Sequence, residues 1–213
     1  MSKLYNVSSS PHVRSKLTTG IVMYDVILCL LPATVMGIWH FKLQALLVIA
    51  ASIVSAMLAE FVFNYIAHRE NTLKDGSAIV TGLLLALCLP ASVPIYIPCL
   101  GAAFAIIVAK NLFGGLGHNF MNPALAGRCF LLLSFSSIVA DYTVDGYSSA
   151  TPLAELKAGT AIVNADAIKN ALIGNIGGTI GETCAIALII GGIYLLIKHV
   201  ISWRIPVVYI VVV

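Results

Sequence analysis

The sequence predicts an all-α protein: a polytopic bundle of transmembrane helices, transporter-like, in which some helices are short or broken. Three observations support this fold class, namely the composition, the length of the apolar runs and the prolines between them. Hydrophobic residues make up 60% of the 213 residues and charged residues 10%, whereas a soluble domain is roughly 45–50% apolar and about 25% charged. At about 20 apolar residues per crossing, the chain can hold about six or seven spans.

The chain divides into a polar tail and one membrane domain. Residues 1–20 are polar and carry Lys3, Arg14 and Lys16, which favours a cytoplasmic N-terminal tail over a signal peptide. Residues 21–213 form a single membrane domain of about seven spans, because lipid requires each backbone polar group to be satisfied within a helix or by protein. The candidate spans are Ile21–Trp39, Leu43–Ala67, Ser77–Leu89, Ile95–Leu112, Pro123–Val139, Ile168–Ile197 and a last span that opens at Ile205. This last span is incomplete at Val213, so the sequence predicts a fragment.

Prolines interrupt the third and fourth runs. Ser77–Leu89 stops at Pro90, and Pro94 and Pro98 punctuate the start of the next run. This pattern is typical of the broken helices that transporters place around a binding site. A tight helical hairpin between the two runs explains it equally well.

The distribution of positive charge predicts the topology. With the N-terminus inside, five crossings place the loop 141–167 on the outer face of the cell membrane. Of the twelve Lys and Arg residues, nine then lie near inner ends and only Lys42, Lys157 and Lys169 lie outside, which is the positive-inside pattern.

Buried polar chemistry is sparse. The cysteines fall in separate apolar runs with no C-x-x-C pair, so we interpret them as small core side chains and predict no metal site. Asp25, Glu60 and Glu182 lie within predicted spans, where ionisable groups are costly. They are therefore candidates for an ion pathway, and pairing with helix-end donors or a neighbouring subunit is the alternative.

Three polar or glycine-rich segments have a local structural explanation. Thr151 followed by Pro152 has the pattern of a helix N-cap, and a helix N-terminus also suits a phosphate. In the segment 117–124, Asn119 and Asn122 could bind a ring edge or an ion with Arg128 nearby, or Asn122 could simply cap a helix that begins at Pro123. The glycines at 174, 177, 178 and 181 predict a small-residue helix face for close packing.

The loop segment 145–151 carries a specific resemblance. Its pattern D-G-x-S-x-A-T resembles the flavinylation signature of a family of membrane subunits, which includes the D subunit of the Rnf ferredoxin:NAD+ oxidoreductase and the B subunit of the sodium-pumping NADH:quinone oxidoreductase. The usual signature has glycine where this chain has Ser149. The resemblance extends over nearly the whole chain, including the segments 75–86, 117–124 and 177–183. The short N-terminal tail and the A-T-P-L ending are more similar to the Rnf protein.

This resemblance implies a flavin cofactor. FMN would be joined to Thr151 through a phosphodiester by a separate flavin transferase, with Asp145, Ser148, Ser149 and Pro152 around it. Asn119, Asn122 and Arg128 would contact flavin, and a second, non-covalent riboflavin is a further expectation. The protein would place the cofactor and tune it electrostatically, while the flavin does the redox chemistry. No catalytic side chain is predicted.

The resemblance also implies a function and partners. The chain would carry electrons in a membrane complex that oxidises reduced ferredoxin, reduces NAD+ and moves Na+ or H+ outward. Its partners would be the other membrane and peripheral subunits, including a second flavin-carrying subunit, together with the transferase and membrane lipid, and no nucleic acid. The alternatives are a B-type member of the quinone-reducing complex, a solute or ion channel or transporter without a redox role, and a structural scaffold.

Overall fold

The computed structural model describes residues 18–70, 72–141, 143–144, 147–148, 157, 169, 172, 174 and 178–212. The helices are α1 (Thr19–Ile66), a 3-10 helix (Leu73–Asp75), α2 (Ser77–Leu87), α3 (Tyr96–Phe104) with its π-helical continuation (Ala105–Asn111), α4 (Pro123–Ser134), α5 (Ser136–Val139), α6 (Ala185–Ile197) and α7 (Arg204–Val212). Two strands of two residues each, β1 (Thr143–Val144) and β2 (Tyr147–Ser148), complete the described elements.

Helix α1 consists of two halves. Lys42 breaks it with φ 52° and ψ −131°, a backbone conformation outside the helical region. Gly76 lies close to Met23 in the first half, while Thr72 hydrogen bonds with Glu60 in the second half. The far ends of both halves therefore meet beside the start of α2, and α1 is a helical hairpin. The two halves coincide with the apolar runs on either side of Lys42, and their crossing of a membrane stays a prediction.

The next helices are short. Helix α2 has 11 residues and α4 has 12, which at 1.5 Å per residue gives lengths of about 16 and 18 Å. Both are well below the ~30 Å hydrocarbon core of a bilayer. Among the described residues, α1 is the one helix whose length and apolar composition suffice to cross a membrane. Four shorter apolar helices accompany it.

Helix α2 lies at the centre of the bundle. Nine of its residues are buried, and it packs against the second half of α1 through Gly82. The Ser52 hydroxyl donates a 2.7 Å hydrogen bond to the Gly82 carbonyl, and a Cβ at Gly82 would lie 2.9 Å from Ile53 Cα. The missing side chain thus lets the two backbones touch, and the hydroxyl satisfies its hydrogen bond without water.

The two ends of α2 define two ends of the bundle. At the Ser77 end lie the start of α1, the end of the π-helix and the start of α4, as the residues gathered there show. At the Ser92 end, the turn after α2 receives the chain as it leaves α5, because the Ser92 hydroxyl donates to the Asp141 carbonyl at 2.9 Å. The loop that begins at Asp141 therefore emerges at the end opposite Ser77.

The predicted continuous helix Ile168–Ile197 is wrong over residues 178–184. These residues form turns, and α6 begins only at Ala185. The N–H groups of Ile180 and Gly181 donate to the carbonyls of Leu89 and Leu87 at 3.0 and 2.8 Å. The unwound segment thereby satisfies the C-terminal carbonyls of α2, which have no partner within their own helix. The predicted small-residue helix face is consequently not formed at Gly178 and Gly181.

Two smaller differences concern the predicted span Pro123–Val139 and the two strands. The predicted span Pro123–Val139 is divided at Phe135, whose φ and ψ of −136° and 42° separate α4 from α5. Strands β1 and β2 pair antiparallel, with Thr143 opposite Ser148 and Val144 opposite Tyr147. The predicted all-α class thus holds for the bundle, with a minimal hairpin added in the loop.

Candidate functional site

A buried ion pair joins α1 to the π-helix at the Ser77 end. The Lys110 ammonium donates to both carboxylate oxygens of Glu60, at 2.8 and 2.9 Å, and to the Ser77 hydroxyl at 2.7 Å. The side chain of Glu60 is 0% exposed and that of Lys110 is 3% exposed. Since an ammonium has three N–H donors, Lys110 is fully satisfied, and its charge is compensated by Glu60.

The Glu60 carboxylate has a second donor. The Thr72 hydroxyl donates to Glu60 Oε1, and the Asn64 side-chain amide donates to the Thr72 oxygen at 3.1 Å. Thr72 is exposed, whereas Glu60 and Asn64 are buried. A chain of hydrogen bonds therefore leads from the surface of the Ser77 end to a buried carboxylate.

The π-helix places Lys110 at this point. Residues 105–111 follow α3 without a break and have the wider i→i+5 pattern, which is rare and frequent at functional sites. The chain then reverses through Gly114, Gly115 and Gly117, all with positive φ, a conformation that glycine adopts at little cost. This reversal brings the segment 117–122 back over the Ser77 end.

A cavity of about 310 Å³ lies beside the ion pair, and Lys110 forms part of its wall. We call it the Lys110 pocket. Its lining residues are Met23, Ser77, Val80, Thr81, Leu84, Lys110, Leu116, Asn119, Asn122 and Pro123. Apolar walls with a few convergent polar groups are typical of small-molecule sites, and the volume is at the lower end of their range, about 300–1,000 Å³.

Local hydrogen bonds fix how the polar groups of the pocket point. Asn122 Oδ1 accepts from the Ala124 N–H at 3.0 Å, which leaves its Nδ2 free to donate. Asn119 Nδ2 donates to the Met121 carbonyl at 2.8 Å, which leaves its Oδ1 free to accept. Ser77 Oγ accepts from Lys110, so its own hydrogen is available for another acceptor. The pocket therefore offers two donors and one acceptor to a ligand.

The prediction that Asn122 caps a helix is confirmed, because its bond to Ala124 precedes Pro123 at the first position of α4. Asn119 and Asn122 also share one pocket, as a joint binding role requires. Arg128 is not among the residues that line this pocket. Its guanidinium instead lies near the Cys88 thiol, at the far end of α2.

The three predicted ion-pathway residues lie at separate places. Glu60 pairs with Lys110, as the alternative of a helix-end partner predicted. Asp25 accepts a 2.8 Å hydrogen bond from the Tyr194 hydroxyl, so it joins the first half of α1 to α6. Glu182 is exposed and lies in the turn before α6 rather than within a helix.

Sequence reasoning missed Lys110, Ser77 and Thr72 as parts of the site. From the sequence, Lys110 counts only as one of the nine positive charges near inner ends. A signal was present, because the lysine follows an apolar run that begins at Ile95 and Glu60 sits within another such run. Two opposite charges in two apolar helices are costly unless they meet.

Most of the predicted flavin loop lies outside the described residues, including Asp145, Ser149, Thr151 and Pro152. Ser148 is described only as a member of β2. Strands β1 and β2, which stand on either side of Asp145-Gly146 in the sequence, pair antiparallel.

These observations define a class: a helical protein of membrane-type composition, with interrupted helices around a buried ion pair and a polar pocket. The sequence profile of the NQR2, RnfD, RnfE family matches residues 6–213. The chain belongs to this family.

Individual relatives agree with the family assignment. The chain is 44% identical over 208 residues to the D subunit of the Na+-translocating ferredoxin:NAD+ oxidoreductase complex of Acetobacterium woodii, covering 95% of this chain and 65% of the relative. It is 39% identical over 220 residues to the D subunit of the proton-translocating ferredoxin:NAD+ oxidoreductase complex of Clostridium ljungdahlii, covering 97% and 66%. The chain thus spans about two thirds of the length of these relatives.

A second kind of relative matches a shorter part of the chain. The B subunit of the Na+-translocating NADH-quinone reductase of Neisseria meningitidis is 40% identical over 152 residues, which is 64% of this chain and 36% of the relative. The predicted resemblance to both kinds of protein is therefore confirmed, and the match to the D subunits extends over more of the chain.

Proposed function

We propose that this chain is a flavin-carrying electron-transfer protein, the D-type subunit of an ion-translocating ferredoxin:NAD+ oxidoreductase. The observation that carries the proposal is the 44% identity to such a D subunit over 95% of the chain, together with the D-G-x-S-x-A-T pattern at 145–151. Its partners are the other membrane and peripheral subunits of that complex, among them a second flavin-carrying subunit.

The proposed location is the cytoplasmic membrane, with a polytopic bundle, a cytoplasmic N-terminus and the loop 141–167 outside. Two features support it. The start of α2 and the loop at Asp141 lie at opposite ends of the bundle, as opposite sides of a membrane require. Large apolar side chains along α1, α6 and α7 are exposed, and lipid would cover them.

The proposed covalent cofactor is FMN on Thr151. A flavin transferase would join the Thr151 oxygen to the phosphorus of the FMN half of FAD, with AMP as leaving group and loss of the hydroxyl proton. This tether leaves the isoalloxazine ring unmodified, so the electron-carrying part of the cofactor keeps its chemistry. Small neighbours such as Gly146 and Ala150 favour access by the transferase.

The proposed second cofactor is a non-covalent riboflavin in the Lys110 pocket. The pyrimidine edge of an isoalloxazine presents two carbonyl acceptors with an N–H donor between them. The two donors of the pocket, from Asn122 and Ser77, and its acceptor, Asn119 Oδ1, complement that pattern. Apolar contacts from Met23 and Leu84 would cover the faces of the ring. The pyrimidine edge of the ring would then face Ser77, Asn119 and Asn122.

Ion translocation is proposed for the complex. The relatives' names give Na+ in one case and protons in another, so the proposal concerns a monovalent cation. Within this chain, the candidates for an ion pathway are Asp25, Glu60 and Glu182. Glu60 is supported best, because its carboxylate is buried and connected to the surface through Thr72.

Two other functions remain as alternatives. A B-type role in a sodium-pumping quinone reductase is favoured by the 40% identity to a protein of that kind. A channel or transporter without redox function is favoured by the pocket between interrupted helices. In the second case neither Thr151 nor the pocket would carry flavin.

The test is the flavin content of the chain, co-expressed with a flavin transferase. After denaturing electrophoresis, the native band should fluoresce, and intact mass should show FMN less one water. Thr151→Ala should abolish both signals, whereas Thr160→Ala, a threonine in the same loop, should retain them. A dark native band, or one that stays fluorescent in Thr151→Ala, would refute the proposed tether.

A further inference from the structure

Lys110 belongs to two sites at once. Its ammonium is the counter-ion of Glu60, and its side chain also forms part of the wall of the Lys110 pocket, where it is the one charged residue among the described lining residues. It reaches a pocket ligand in two ways: directly by its charge, and through Ser77, whose hydroxyl it polarises.

The charge that the pocket senses therefore depends on Glu60. When Glu60 is ionised, its carboxylate compensates the lysine, and the wall of the pocket is close to neutral. When Glu60 is protonated, the buried ammonium loses its counter-ion, which is costly in a low-dielectric interior. Negative charge in the pocket then becomes the alternative partner for Lys110.

A path exists for the proton. Thr72 is exposed and its hydroxyl is bonded to Glu60 Oε1. A hydroxyl can act as both donor and acceptor. Thr72 can therefore accept a proton from solvent and give its own proton to the carboxylate, without any change in the backbone. The Asn64 amide, which donates to Thr72 at 3.1 Å, holds this hydroxyl in place.

Other charged groups surround this end of the bundle. On the elements packed around Glu60, the titratable or charged residues are Tyr24, Asp25, Tyr65, His68, Arg69, Glu70, Lys74, Asp75, Lys110 and His118. Within the described residues, the ion pair of Glu60 is with Lys110, Arg69 donates to the Asn111 carbonyl and Asp25 accepts from Tyr194. Lys110 is therefore the charge that responds first to a change at Glu60.

We propose that Lys110 couples negative charge in the pocket to protonation of Glu60. This inference rests on the proposed riboflavin in the Lys110 pocket. Ser77, Asn119 and Asn122 would hold the ring, and one electron delivered to it by the electron donor of the complex would be matched by one proton from solvent. That proton would bind the Glu60 carboxylate by way of Thr72. Lys110 stays protonated and shifts hydrogen bonding from Glu60 towards Ser77 and the ligand, and no covalent bond forms. The net charge of the buried cluster is unchanged.

The coupling is reciprocal, because a proton at Glu60 must favour the reduced ligand by the same factor by which the reduced ligand favours the proton. Replacing Glu60 by a neutral side chain should favour reduction of the bound ring. The equilibrium constant for this reduction should rise by about 10-fold, which is a typical coupling between two sites. Removing the charge of Lys110 should disfavour it. Lys110 is thus a positioning residue, and its effect is measured as a change in how readily the bound ligand is reduced.

The experiment is reduction-induced infrared difference spectroscopy of the protein loaded with riboflavin. Thr151→Ala provides the background, so that the non-covalent flavin is the one that reports. Electrochemical reduction should produce a carbonyl band of a protonated carboxylic acid. The band should disappear in Glu60→Gln and in Lys110→Met, and it should persist in Lys110→Arg, which keeps the charge, and in Glu70→Gln, an exposed control.

A parallel measurement on the same samples is the midpoint potential of the bound riboflavin. It should rise in Glu60→Gln and fall in Lys110→Met. If either variant fails to fold, the band can be assigned by its persistence when each other carboxylate is replaced by its amide. Those residues are Asp25, Asp75, Asp141, Asp145, Asp166, Glu70, Glu155 and Glu182, which together with Glu60 account for all nine acidic side chains.

Four results would overturn the inference. A loaded protein that shows no carboxylic acid band on reduction, or keeps the band in Glu60→Gln, contradicts this coupling and leaves the riboflavin site intact. Binding of Na+ on reduction without the band contradicts it in the same way. If riboflavin does not bind to the pocket at all, the second-flavin proposal fails and this inference fails with it.

Discussion

Gly191 of α6 lies directly against the backbone of Cys29 in the first half of α1. A Cβ placed on Gly191 would overlap the Cys29 carbonyl oxygen. Its neighbour Gly192 has nothing within 4 Å of the corresponding position. Two adjacent glycines of one helix therefore have opposite roles, one in packing and one on an open face.

Gly191→Ala should destabilise the protein, because the added methyl group must push α6 away from α1. Overpacking of this kind costs about 1–3 kcal/mol. Gly192→Ala should be neutral or stabilising, since alanine is favoured over glycine in a helix by about 1 kcal/mol. The measurement is the thermal unfolding midpoint of both variants in detergent. Equal effects of the two substitutions would contradict the close helix contact.

The buried ion pair makes a second prediction. Lys110→Met leaves an unpaired buried carboxylate and should cost about 3–5 kcal/mol, the range for breaking one side of such a pair. Glu60→Gln should also destabilise, because it leaves the ammonium without its counter-ion. The double variant should be less destabilised than the sum of the two. A double-mutant cycle in denaturant measures this coupling, and strictly additive effects would show that the pair is not formed.

Asn122 permits the capping role and the ligand role to be separated. Asn122→Asp keeps a side-chain oxygen for the Ala124 N–H but loses the Nδ2 donor, whereas Asn122→Ala loses both. We expect Asn122→Ala to reduce stability by about 1 kcal/mol, as for other N-caps, and Asn122→Asp to leave stability unchanged.

Riboflavin binding supplies the second readout for Asn122. Both variants should retain less non-covalent riboflavin than the native protein, because both lack the donor to the ring. Flavin is extracted after purification and its amount is compared with the amount of protein. If Asn122→Asp binds riboflavin as well as the native chain does, Asn122 serves α4 alone.

The sequence predicts the features that depend on local pattern. The apolar runs on either side of Lys42 correspond to the two halves of α1, and the Asn122-Pro123 pair correctly predicts the start of α4. Both follow from interactions within a few residues, namely helix periodicity and capping.

The features that the sequence does not predict depend on distant partners. Residues 178–184 continue directly into the apolar run of α6, a pattern that predicts one helix, yet they unwind. The carbonyls of Leu89 and Leu87 accept the N–H groups of Ile180 and Gly181 instead. Glu60 and Lys110 are 50 residues apart, and the π-helix that turns the lysine inwards has no recognisable sequence signal. Only the folded chain shows these pairings.

The last prediction concerns the sides of the membrane. Lys74 lies in the 3-10 helix at the Ser77 end, whereas the loop containing Asp145 leaves the bundle at the Ser92 end, where Ser92 binds the Asp141 carbonyl. In a background with the native cysteines replaced, a cysteine at position 145 should react with an impermeant maleimide in intact cells. A cysteine at position 74 should react only after the membrane is permeabilised. Because the two ends of α2 face opposite directions, labelling of both sites from outside would contradict the membrane orientation, and labelling of position 74 alone would reverse it.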